Sequence, residues 1–219
     1  MSYWIMVGIT ALITTAAQWL VKSRYNKYSK IANSSLLTGE AAARLLLERK
    51  GIGDVGVSCG KGELTDYYDP AKREIVLSPA VFNGTSISSL AVAAHETGHA
   101  VQHAEADAFF KFRSALVPMA KVCEGSFMWV LLAGIFLHMT GLIDVAIVIF
   151  SGVVLFHLAT LPVEFNASER ARVLLYDNGL LNSSDDRGLK AVLGSAALTY
   201  VAGTAASLMY LLYLIGNRR

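Results

Sequence analysis

The stretch AVAAHETGHAVQHA, residues 91–104, gathers His95, Glu96, His99 and His103 in one short run. His95-Glu96-Thr97-Gly98-His99 matches the pattern H-E-x-x-H. Side chains four residues apart share one helical face, with their β-carbons about 6 Å apart. Two imidazoles at that spacing can reach one zinc ion, each at about 2.0–2.1 Å. The glutamate beside the first imidazole can act as general base toward a water whose pKa the metal lowers. These residues spell metal-assisted hydrolysis. The competing reading is a polar helix face with two satisfied histidines and Glu96 as a solvated charge.

A catalytic zinc takes three protein ligands and a water. His103 is the tempting third, but eight residues of helix separate it from His95 by about 12 Å. Positions 100–102 are Ala, Val and Gln, so no turn brings it back as the glycine of metzincins does. His103 reads as a helix-end histidine facing water or a carboxylate. The other source is LPVEFNASERA, Leu161–Ala171, where Pro162 is expected to kink or restart a helix. Glu164 in this run is the candidate third ligand and Glu169 the fallback. The bland alternative makes Glu164 an exposed interfacial charge. Asn166, Arg170, Arg172 and His157 are candidate donors for a developing oxyanion. The strand around Glu74–Leu77 could pair with an extended substrate.

These residues need elements to hold them. The 219 residues are 54% hydrophobic and only 16% charged, where soluble domains run nearer about a quarter charged. Net charge is +2 with no dense Lys/Arg tract, so nothing points to nucleic acid. Cys59 and Cys123 are the only cysteines, with no C-x-x-C, and both read as free thiols. The apolar run 3–21 is followed, not preceded, by basic residues, and reads as a retained anchor. The run 126–161 is too long for one span. Thr140 and Gly141 break it into a helical hairpin whose first arm extends back through ALVPMAKVCEG, giving 114–161. The last span is 191–216, where Gly194, Ala197 and Gly203 would suit close helix packing.

Four spans leave polar segments at 22–113 and 162–190 on the same side. The first would be the catalytic segment and the second the third-ligand segment. Lys22, Arg24, Lys27, Lys30, Lys111 and Arg113 flank the first, and Arg170, Arg172, Arg187 and Lys190 lie in the second. The opposite side offers the N-terminal amine, Arg218 and Arg219. By this bias the polar segments are cytoplasmic. Within 22–113, Thr38–Gly51 reads as a capped amphipathic helix. GVSCG, GELTDYY and EIVLS read as strands, with Asp69–Arg73 a turn. The motif helix begins after Ser86. The fold class expected is a mainly α membrane protein: about four transmembrane helices plus a small α+β zincin-like segment with a short hairpin or sheet.

AAHETGHAVQHAEAD with the later TLPVEFNASERA resembles the bacterial membrane family of neutral zinc metallopeptidases, the YugP-like proteins. The likeness covers nearly the whole chain. A weaker similarity reaches the gluzincin membrane proteases of the HtpX and CAAX-processing type, whose third ligand lies in a pattern like E-F-x-A-D. EFNAS aligns Glu164 with that glutamate. Ser168 stands where those proteases have an aspartate that supports the ligands, so the supporting hydrogen bonds here must differ. The resemblance implies that His95, His99 and Glu164 bind Zn2+ and that Glu96 is the base. It implies a membrane-embedded endopeptidase at the cytoplasmic face, acting on peptides or membrane proteins beside the bilayer. An intramembrane-cleaving zinc protease would need a later Asp motif, and Asp144 in GLID lies at the hairpin tip instead. A non-catalytic metal-binding scaffold could have lost Glu96, which is intact.

Overall fold

Backbone groups in hydrocarbon must bond internally, so long apolar runs become helices. The computed structural model describes residues 2–217; Arg218 and Arg219, used in the charge bias, lie outside them. In chain order the elements are α1 (Tyr3–Tyr28), α2 (Gly39–Arg49), β1 (Gly56–Cys59), β2 (Tyr67–Asp69), β3 (Glu74–Leu77), α3 (Pro79–Phe82), α4 (Ile87–Ala104), α5 (Ala108–Phe136), α6 (Thr140–Asp177) and α7 (Ser183–Gly216). Helices α1, α5, α6 and α7 are long and apolar enough to cross a membrane. The protein is a mainly α membrane protein with one small sheet. Both cysteines are free thiols.

The chain divides into two compact units. Among the described residues, one comprises 2–18, 108–163 and 198–217. Its α5–α6 hairpin turns at residues 137–139, earlier than the Thr140–Gly141 break expected from sequence. His138 takes a left-handed φ of 55°, and Met139 N–H reaches back to the Gly134 carbonyl. Gly134 permits the close return, since a β-carbon there would meet Ile143 at 2.9 Å. Phe127, Leu131, Ala146 and Leu214 form the apolar centre of this unit, with Phe150 and Tyr210 packed against it.

The second unit comprises Trp19–Asp107 and Glu164–Ala197. Thr38 caps α2, its hydroxyl accepting from Ala41 N–H at 3.1 Å, and Gly51 ends it at a φ of 67°. Ser86 caps α4, accepting from Ser89 N–H at 3.0 Å. Strand β3 lies between β1, parallel to it, and β2, antiparallel to it. This corrects the expectation that Glu74–Leu77 receives a substrate strand: β1 and β2 already take its two hydrogen-bonding edges. Ile75 and Leu77 are buried with Leu47, Val81, Ala93 and Ala100, which seats α4 on the sheet.

Helix α6 continues through Pro162 and does not restart there. A proline removes one N–H donor, and long apolar helices tolerate that loss. Beyond it, Ala171, Leu174 and Leu175 are buried with Leu90, Ala91, Ala94 and Val101 of α4, and Ala167 is buried as well. Small residues on both helices let the two backbones come close. Gly98 is the tightest point: a β-carbon there would lie 2.6 Å from the Ala167 carbonyl oxygen.

Candidate metal centre

The Gly98–Ala167 contact sets the site, because it brings Glu164 of α6 beside the two histidines of α4. Glu164 Oε2 lies 3.3 Å from His95 Nε2 and 3.6 Å from His99 Nε2. The two imidazoles stand edge to face, with centroids 4.7 Å apart. The ligand atoms of His95, His99 and Glu164 all fall within 4.8 Å of one another. Donors around a tetrahedral zinc at about 2.0–2.1 Å stand about 3.3 Å apart, close to the spacing found. Glu164 is buried, yet its Oε2 makes no hydrogen bond among the described residues. A buried carboxylate oxygen without a hydrogen bond is costly, and a cation held among the three side chains removes that cost. The residues fit a zinc ion.

Glu96 is buried beside this cluster. Burial pushes its carboxyl above the ordinary range; Glu164 and Asp66 push the same way, against His95 and His99. Burial would lower the His99 imidazole, but the adjacent Glu164 carboxylate, with Glu96 and Gln102, raises it instead.

The other ring nitrogens are held as well. His95 Nδ1 lies 3.2 Å from Ser168 Oγ. A hydroxyl thus stands where the gluzincin pattern has a carboxylate. His99 Nδ1 lies 3.0 Å from Gln102 Oε1, and Gln102 Nε2 donates to Asn166 Oδ1 at 2.8 Å. Arg170 Nε donates to the same Asn166 oxygen at 2.6 Å. This last contact fixes the direction of the whole relay. Arginine only donates, so the Asn166 atom facing it is oxygen. The Gln102 atom facing that oxygen must be nitrogen, so Gln102 turns its own oxygen to His99. Nδ1 of His99 therefore carries a proton, and Nε2 is the ring atom turned toward Glu164. Arg170 is itself anchored by Glu105 and Asp107.

Other residues singled out from sequence lie elsewhere. His103 Nδ1 bonds Tyr68 Oη at 2.8 Å. Glu169 pairs with Arg172 at 2.8 Å on the exposed side of α6 and is absent from the cluster. His157 belongs to the membrane unit, where its Nδ1 meets Ser207 Oγ of α7 at 2.6 Å. Arg170, another of the candidates, is tied to Asn166 and Glu105. Sequence reasoning missed Gln102 and the supporting role of Ser168. The available signal was spacing: Gln102 follows His99 by three, and Ser168 follows Glu164 by four.

Over residues 3–219 the chain matches the family described as "Putative neutral zinc metallopeptidase". The chain belongs to that family. It is 42% identical over 212 residues to "Putative membrane protease YugP" of Bacillus subtilis (strain 168), covering 96% of this chain and 94% of that protein. No solved structure matches it significantly. Zinc is the family's cofactor, and His95, His99 and Glu164 form a group that could hold it.

Proposed function

We propose that this protein is a membrane-embedded, zinc-dependent endopeptidase with its site at the cytoplasmic face. His95, His99 and Glu164 would hold the ion, and Glu96 would be the general base. The observation that carries this reading is Glu164 Oε2, buried without a hydrogen bond and aimed at both Nε2 atoms. When bound, zinc supplies Lewis acidity that brings the pKa of water toward neutrality. Glu96 accepts a proton from water at its carboxylate and returns it to the departing amine; burial raises its pKa, which favours its holding that proton between the two steps. Gln102 and Ser168 hold the two imidazoles with Nε2 toward the ion.

The substrates would be peptides or membrane proteins beside the bilayer. In this reading 3–21 anchors the chain and 22–113 is the catalytic segment. Residues 114–161 form the hairpin, 162–190 carry the third ligand and 191–216 cross the membrane last. Lys/Arg bias supports the cytoplasmic placement. Glu96→Gln tests the chemistry: zinc content stays, while cleavage of a reporter peptide falls by about 10²–10⁴-fold. A wild type that binds no zinc, with His95→Ala indistinguishable from it, overturns the reading. Exposed Cys59 reports the side. In a Cys123→Ser background, a membrane-impermeant maleimide should label Cys59 only after lysis.

A further inference from the structure

The membrane unit holds a cavity that proteolysis leaves unused. It encloses about 420 Å³, within the range of about 300–1,000 Å³ usual for small-ligand sites. Arg113 of α5, Phe156, His157 and Thr160 of α6, and Tyr200 and Thr204 of α7 line it. Polar groups between apolar helices are expensive, and they commonly mark a binding site.

The lining has a hydrogen-bond polarity. Arg113 only donates. Its Nε is buried with no hydrogen-bond partner among the described residues, and its guanidinium lies 5.8 Å from the Phe156 ring centre. The hydroxyls have the opposite character. Thr160 donates its single proton to the Phe156 carbonyl at 2.8 Å, and Thr204 donates its own to the Tyr200 carbonyl at 2.8 Å. Both therefore turn only lone pairs to the cavity. Ser207, outside the lining, donates to the Gly203 carbonyl at 2.7 Å. It must then accept from His157 Nδ1, which leaves Nε2 of the neutral ring as an acceptor.

One part of the wall thus asks for an anion, and another asks for a hydrogen-bond donor, of which an ammonium carries three. A zwitterion with both satisfies it. Depth narrows the class. Arg113 is five residues into α5, while His157 and Thr204 lie six residues from the unit's boundaries at Val163 and Leu198. At 1.5 Å per residue that is about 9 Å of helix, near the polar head-group layer that flanks a hydrocarbon core about 30 Å thick. We propose that this cavity binds the head group of phosphatidylethanolamine. The phosphate lies against Arg113 and the ammonium against Thr160, Thr204 and His157, with the acyl chains left in the bilayer. Soluble glycerophosphoethanolamine offers the same head group without the chains. The inference is independent of the peptidase reading.

The test uses the full-length chain in detergent, with thermal unfolding followed as lipids are added. Phosphatidylethanolamine should raise the midpoint above the shifts given by phosphatidylcholine, which lacks N–H, and phosphatidylglycerol, which lacks the cation. Thr204→Val should bring phosphatidylethanolamine down to the phosphatidylcholine level. Arg113→Gln should weaken phosphatidylethanolamine binding at least tenfold. Thr204→Val keeps shape and volume, so it carries the test if Arg113→Gln does not fold. Equal shifts from all three lipids in the wild type overturn the proposal. So does phosphatidylglycerol matching phosphatidylethanolamine, which would leave a simple anion site. Glycerophosphoethanolamine acting as strongly as the lipid overturns the lipid assignment.

Discussion

Gly98→Ala perturbs the metal centre without touching a ligand. The added β-carbon would sit 2.6 Å from the Ala167 carbonyl oxygen and 3.3 Å from its carbonyl carbon. Both contacts are backbone, so no side chain can swing away. Reaching an ordinary separation of about 3.4 Å requires α4 and α6 to part by about 0.8 Å at that point, with an overpacking cost of about 1–3 kcal/mol. His95 and His99 ride on one helix and Glu164 on the other. Metal sites tolerate ligand displacements of only about 0.2 Å, so the carboxylate leaves the position that completes the donor set. Misplacement on the scale of 1 Å costs about 100-fold in rate, and a comparable loss is expected in zinc affinity. A competition titration against a chromophoric chelator measures that loss, with circular dichroism confirming that the helices remain. Gly194→Ala is the control: nothing lies within 4 Å of its β-carbon, and alanine is the better helix former by about 1 kcal/mol. Gly98→Ala binding zinc as tightly as wild type would refute the argument that this close approach sets the site.

Three further outcomes follow from the same geometry. Glu164→Gln should lose zinc while Glu169→Gln keeps it, as metal analysis of the purified variants would reveal; equal retention in both removes Glu164 from the donor set. Gln102→Leu and Ser168→Ala should each weaken zinc by about 10–100-fold through loss of a ligand's hydrogen-bond partner. An unchanged affinity in the chelator titration would mean that the Nδ1 contacts are incidental. Burial and the nearby Arg73 hold the His103 imidazole below its ordinary value of 6.5. A histidine lowered in the folded chain contributes stability above the unfolded value, and that contribution fades as pH falls through the folded value. NMR titration of the His103 ring checks this, and a midpoint at or above 6.5 counts against it.

Local periodicity was legible throughout. The four apolar helices, the Thr38 and Ser86 caps and the three strands all follow from residue order, because each depends on neighbours within a turn or a hairpin. H-E-x-x-H fixed two imidazoles on one face, and helix rise alone removed His103 as a third ligand. Membrane topology then pointed across the hairpin to Glu164. The order of the sheet escaped that reasoning, since which strand lies centrally depends on how a crossover closes, and β3 took both neighbours. The turn at His138 and the absence of a restart at Pro162 also departed from composition, because backbone conformation there answers to packing and neighbouring turns.

What only the tertiary structure decided is the approach of α4 to α6. Gly98 and Ala167 are ordinary small residues in the sequence, and nothing in their order says that they touch. Their contact sets the distance between a carboxylate and two imidazoles, and it brings Gln102 to Asn166 across 64 positions. Sequence put His95 and His99 on one face because their spacing is a property of one helix. Their convergence, and the direction of the hydrogen bonds behind them, is a property of two helices, fixed by the absence of one β-carbon.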